Sequence, residues 1–270
     1  MTLRKKAILI FSILNLTGCG ETPTSQLSEQ FPIIRSGPHN MEFAFIPKGT
    51  FRMGSPGDEE GRYENERQYW VKLTEDYWMQ TTEVTRGQWY KVMFSSPDCW
   101  WSMKVIESDI HPVTCVDRYE AEEFIDKLNE QQKNSGYKYS LPTEAQWEYA
   151  ARAYTETPYS IKGPVDSFAW HNSNSGKHTH PVGKLKANFF GLYDVHGNVE
   201  EWVADYLHDY PKADSFSEAI KNPDGPNNAT YYVRRGGSWA GDDIRSACRN
   251  GSKYNVRDVN LGFRIVRAKI

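Results

Sequence analysis

The stretch Gly191-Leu-Tyr-Asp-Val-His-Gly-Asn-Val-Glu-Glu-Trp202 organises the reading of this chain. Asp194, Asn198 and Glu201 bring three hard oxygen donors close together, with backbone carbonyls between them, Val199 among these. A tight Gly-containing bend followed by a helical turn would fold those oxygens around one Ca²⁺, which takes six to eight of them. Tyr193, Val195, Val199 and Trp202 would anchor the bend in a core. The spacing is not that of an EF-hand loop, so an acidic turn that binds nothing stands beside the Ca²⁺ reading.

Upstream, Asp117 to Gln132 carries Ala121, Phe124, Ile125 and Leu128 on one helical face, with acids and lysines opposite. Thr143 opens a second helix as N-cap, and Gln146 completes a capping box. Thr85 caps a shorter helix bearing Trp89, Tyr90 and Met93. Phe43 to Met53 reads as strand material around a turn at Pro47-Lys48-Gly49, and Tyr69 to Leu73 with Tyr77 to Met79 as a second hairpin. After Trp202, Asp205 to Asn228 is a polar surface insertion containing Pro211, Pro223 and Pro226. Few helices among many short strands predict an α+β fold.

At 270 residues the chain suits one core-forming domain plus a tail. A net charge of −3 gives no reason to expect nucleic acid as a partner. Arg4-Lys5-Lys6 before the apolar run Ala7 to Leu16 reads as an export signal over residues 1–18. Leu16-Thr-Gly-Cys19 resembles a bacterial lipobox, which implies an acylated Cys19, a membrane anchor and a place in the cell envelope. Gly20 after that cysteine points to the outer membrane. Residues 19–40 read as a flexible tether, and 41–270 as the folded domain. In an exported chain, Cys99 and Cys115 read as a disulfide that would contribute roughly 3 kcal/mol, with a metal site as the competing reading.

Six motifs carry a family resemblance. In order they are Phe45 to Ser55, Thr82-Glu-Val-Thr85 with Gln88-Trp89, Leu141 to Arg152, the opening stretch, Arg235-Gly-Gly-Ser-Trp239 and Leu261-Gly-Phe-Arg264. Over residues 41–270 the chain resembles the formylglycine-generating enzyme (sulfatase-modifying factor) family. That resemblance implies a C-type-lectin-like variant of the α+β class, and a structural Ca²⁺ on Asp194, Asn198, Val199 and Glu201. For active members it also implies an oxygen-dependent oxidase that converts a sulfatase cysteine to formylglycine. Their copper sits on two cysteines spaced C-x-x-x-x-C after the Gly-Gly-Ser-aromatic motif, and soft thiolates suit Cu(I) as oxygen donors do not.

Here Trp239 is followed by Ala240-Gly-Asp-Asp-Ile244, and Gly241 stands where the first ligand cysteine belongs. Cys248 is the only cysteine after Cys115, so the pair is missing and copper is not expected. Two function classes remain. One is a non-catalytic binding module displaying Trp239, Asp242, Asp243, Arg245, Arg249, Asn250, Tyr254 and Arg257 to a protein or ligand, residue types that carry interface energy. It includes the variant in which a diversity-generating retroelement alters those positions. The alternative reading of the same arginines is internal ion pairing. The other class is an oxidase with a relocated metal site on His178, His180 or His196.

Overall fold

The computed structural model describes residues 31–97 and 108–270. Cys19 and Cys99 lie outside these residues, as do the leader and one half of the expected bridge; Cys115 is buried.

Among the described residues, three sheets and three α-helices make the α+β architecture. The first sheet is antiparallel and contains β1 (Ile34–Ser36), β2 (Glu42–Ile46), β5 (Tyr77–Gln80), β12 (Val266–Lys269) and β6 (Tyr137–Ser140), in that spatial order. The second orders β10 (Arg249–Ser252), β9 (Tyr232–Arg235), β7 (Glu200–Tyr206) and β11 (Leu261–Gly262). The third joins the hairpin β3 (Gly49–Met53) and β4 (Tyr69–Leu73) to a short parallel β8 (Ile220–Lys221). β1 pairs with β2 inside the segment read as tether, so ordered structure begins before the boundary expected at Met41.

The helices start where the local chemistry predicts. Thr85, Asp117 and Thr143 each accept a hydrogen bond from the backbone three residues on, and the side-chain oxygen there accepts one from the cap's own N–H, so α1 (Arg86–Met93), α2 (Arg118–Gln131) and α3 (Glu144–Arg152) all open with complete capping boxes. Trp89 and Phe124 stack at 5.5 Å, and Phe263 meets both edge-on, which locks α1 and α2 onto the C-terminal Leu-Gly-Phe-Arg segment. Helix α3 is buried along almost its whole length and delivers Glu144, Glu148 and Arg152 to the interior.

Candidate functional site

The opening stretch is buried along almost all of its length. Gly197 takes φ 95°, and a Cβ there would stand 2.2 Å from the Trp170 carbonyl, so only glycine fits. Its N–H donates to Gly236 O, the Asn198 N–H to Trp170 O, and the Trp239 N–H to Asn198 O, at 2.8 to 2.9 Å. The bend and the Gly-Gly-Ser-Trp segment are thereby joined by their backbones. Trp202 is fully buried, and its indole donates to Val116 O at 3.0 Å.

The acidic donors divide into two kinds. Glu201 is enclosed: Arg264 forms a two-pronged ion pair with it at 2.7 to 3.0 Å, and the Trp147 indole donates to the same carboxylate at 2.8 Å. Asp194, in a left-handed backbone conformation at φ 56°, accepts the Gly183 N–H at 2.7 Å through Oδ2, while its buried Oδ1 has no partner. Burial raises its pKa to about 6. Asn198 accepts the His180 N–H and donates to Glu83 Oε1. Glu83 is fully buried, its Oε2 is unpartnered, and burial followed by the nearby Asp194 raises its pKa well above the carboxylate range.

An unpartnered, buried carboxylate oxygen on Asp194 fits a hard cation, and Asn198 and Val199 lie beside it in the chain. Glu201 fits less well, because a cation would have to share its oxygens with Arg264. Sequence reasoning quoted Glu83 only as part of a motif and missed its place beside Asp194 and Asn198. Among the described residues, no group of three or more His, Cys, Asp or Glu side chains is arranged to hold a metal.

The eight residues expected to form a display surface separate. Trp239, Arg245 and Arg249 are buried, which corrects the expectation that they face a partner. Arg245 pairs with Glu59 at 2.7 Å and Glu66 at 2.8 Å. Arg249 grips Glu144 at 2.7 and 2.8 Å and lies 3.9 Å from the Tyr210 ring centroid. Arg235, beneath them, pairs with Glu148 and donates to the carbonyls of Ser246, Ala247 and Cys248. Each arginine is neutralised by an acid from a distant segment, so these cations hold the loop from below. Asp242, Asn250 and Tyr254 are exposed, and Asp243 and Arg257 are half-buried. Tyr254 meets Tyr119 at 4.8 Å, Arg257 pairs with Asp117 and Glu120, and Asn250 donates to Glu200.

Cys248 is buried, and burial together with the neighbouring Asp243 carboxylate raises its thiol pKa, the opposite of what a thiolate ligand or nucleophile needs. His196 bonds Ile244 O at 2.8 Å through Nδ1 and faces Ser160 through Nε2, and burial lowers its pKa to about 4. Both of its nitrogens are engaged. His178 and His180 come together, rings 4.7 Å apart, but each directs one nitrogen to a backbone carbonyl, and His180 stacks on Trp170 at 3.7 Å. His171 was not singled out by sequence. Its two nitrogens meet Asp166 at 2.8 Å and Asp242 at 3.0 Å, clasping one loop to another.

The class of the protein follows from this fold and these motifs. A family model described as the sulfatase-modifying factor enzyme 1-like domain matches residues 31–269, and the chain belongs to that family. Its architecture is the C-type-lectin-like variant of the α+β class. Among solved structures, variable protein 1 of Treponema denticola is similar with a TM-score of 0.76 and 28% identity, over 87% of this chain and 99% of that one. The chaperone protein LppX of Paenibacillus barcinonensis is 26% identical over 240 residues, 72% of this chain and 81% of that protein. The formylglycine-generating enzyme of Mycobacterium tuberculosis is 31% identical over 149 residues, which are 47% of this chain and 50% of the enzyme.

Proposed function

We propose that this chain is a non-catalytic accessory module of its family, held at the bacterial outer membrane by a lipid on Cys19 and presenting its C-terminal loops to a protein or ligand. One observation carries the reading: Gly241 stands where the first copper-holding cysteine belongs, and the one cysteine after Trp239, Cys248, is a buried thiol with a raised pKa and has no second cysteine to pair with there. The presented surface comprises Asp242, Asn250 and Tyr254 with the flanking Asp243 and Arg257. Trp239, Arg245 and Arg249 support it from within.

A hard cation belongs to the same proposal. Asp194, Asn198 and the Val199 carbonyl would hold Ca²⁺, with Glu201 contributing only alongside Arg264, and the ion would supply rigidity to the bend under Trp239 rather than chemistry. Copper titration of the purified chain tests the non-catalytic reading: we expect neither tight Cu(I) binding nor oxygen-dependent oxidation of a cysteine peptide, and finding both would overturn it. Cys19→Ala is expected to release the processed chain from the membrane fraction.

The likeness to a variable protein favours one refinement, that the exposed loop positions are diversified. A reverse transcriptase gene and a near-repeat of the 3′ end beside this gene would support that, and their absence would reject it.

A further inference from the structure

We infer that an aromatic-walled hollow at the edge of the β3–β4 hairpin is a carbohydrate subsite that takes one pyranose ring. This inference is independent of the accessory-module reading, because it concerns another surface and other residues. The cavity holds about 280 Å³ and is walled by Phe51, Trp70, Tyr149, Tyr154 and Phe216. It lies just below the ~300 Å³ lower end of pockets for drug-sized ligands, which suits a single small ring.

Two of these aromatics are presented at a cost. Helix α3 ends at Arg152 and is capped by Ala153 (φ 46°), and Tyr154 follows at φ 73°, two consecutive non-glycine residues in left-handed backbone. A bulky residue there is a strained outlier of the kind that gathers at ligand clamps. Tyr154 is 52% exposed at the rim, with Tyr149 and Phe190 edge-on to it. Phe216, in the insertion after Trp202, is 63% exposed. It sits on the turn Phe216–Glu218, and its ring meets Trp70 edge-on at 5.2 Å.

The rim selects the ligand class. Arg152 is engaged by Glu148, Gly54 O and Thr157 O, so it contributes little more than wall. Arg52 and Glu156 are exposed at the mouth, with the half-buried Thr50, and the Arg52 guanidinium lies 5.8 Å from the Trp70 centroid. An anion would meet the Glu156 carboxylate, and a cation the Arg52 guanidinium. A purely apolar ligand would leave both rim groups unmatched. A pyranose satisfies walls and rim together: its C–H face packs on the rings, and its hydroxyls bond donors and acceptors at the edge.

Saturation-transfer NMR on the full chain with cellotetraose, N-acetylchitotetraose and mannotetraose tests the site, alongside quenching of tryptophan fluorescence. At least one sugar is expected to receive saturation at its ring C–H protons, and Phe216→Ala should weaken its binding roughly tenfold, as loss of one aromatic contact predicts. Phe216 is an exposed side chain on an outer loop, so the variant should keep the wild-type melting temperature; Tyr154→Ala offers a second route to the same loss. The proposal is overturned if none of the three sugars shows transfer, or if transfer survives both substitutions unchanged. Tighter binding of a Phe-Trp dipeptide than of every sugar would also overturn it.

Discussion

Two clusters of charge in this molecule use the same kinds of groups and do different work. Beneath the C-terminal loops, Arg235, Arg249 and Arg264 pair with Glu148, Glu144 and Glu201, all almost completely excluded from water. At the surface, His171 joins Asp166 and Asp242, whose side chains are 71% and 60% exposed. The difference is desolvation. A buried ion pair cannot be broken on one side without leaving an uncompensated charge in the interior, whereas an exposed one exchanges a partner for solvent. The deep pairs therefore determine where the loops run, and the clasp adjusts how firmly two loops adhere.

The largest expected effect comes from breaking a deep pair. Glu201→Ala strands Arg264 with its guanidinium enclosed and removes the acceptor of the Trp147 indole. A loss of about 3–5 kcal/mol is expected, read from the urea midpoint at unchanged m-value. A loss below about 1 kcal/mol would place Glu201 with the surface class.

Next comes the cation. If Ca²⁺ occupies the Asp194 region, free ion at one hundred times its dissociation constant adds about 2.7 kcal/mol to the stability of the fold. Asp194→Ala should abolish the dependence of the melting temperature on chelator. Glu201→Ala should lower the melting temperature with or without Ca²⁺, which separates its ion-pair role from a ligand role. A wild-type chain that ignores both Ca²⁺ and chelator leaves the bend as an acidic turn.

Helix α3 links the two regimes, since its cap sets the position of Glu144 and Glu148 against their arginines. Thr143→Ala removes the acceptor for the Gln146 N–H and is expected to cost about 1 kcal/mol in the same titration. Thr143→Ser should restore most of it.

The smallest effect should come from the clasp. Burial opposes protonation of His171, but its hydrogen bonds to Asp242 and Asp166 outweigh that, and its pKa is raised. Only an imidazolium donates through both nitrogens. The folded-state pKa lies above the unfolded one, so the stabilisation is complete below about pH 6.5 and is lost as pH rises through the raised value. Comparing wild type with His171→Gln at pH 5.5 and pH 8 should show a melting difference of about a degree or two at the lower pH only. An equal difference at both would mean that the ring acts by packing.

Much of the frame was legible in the sequence, for a local reason. A capping box is a relation between residues three apart, so Thr143 with Gln146, and Thr85 as a cap, announced their helices without help from the rest of the chain. The α2 face was equally legible, because Ala121, Phe124, Ile125 and Leu128 recur at helical spacing and are the residues that become buried. The absence of a cysteine pair after Trp239 needed nothing but the order of residues.

The roles of the charged residues were settled only by the tertiary structure. Arg245 finds Glu59 across 186 positions, Arg249 finds Glu144 across 105, and Arg264 finds Glu201 across 63. At those separations no spacing rule distinguishes an arginine that greets a partner from one that neutralises a buried acid. The same holds for Glu83 and Asp194, whose pKa values are raised first by burial, with Asp194 adding to the shift of Glu83 and Glu201 to that of Asp194. Sequence supplies the charges and the turns that present them. The surrounding protein, by removing water from some and not others, makes Arg249 part of the interior and leaves Asp242 at the surface.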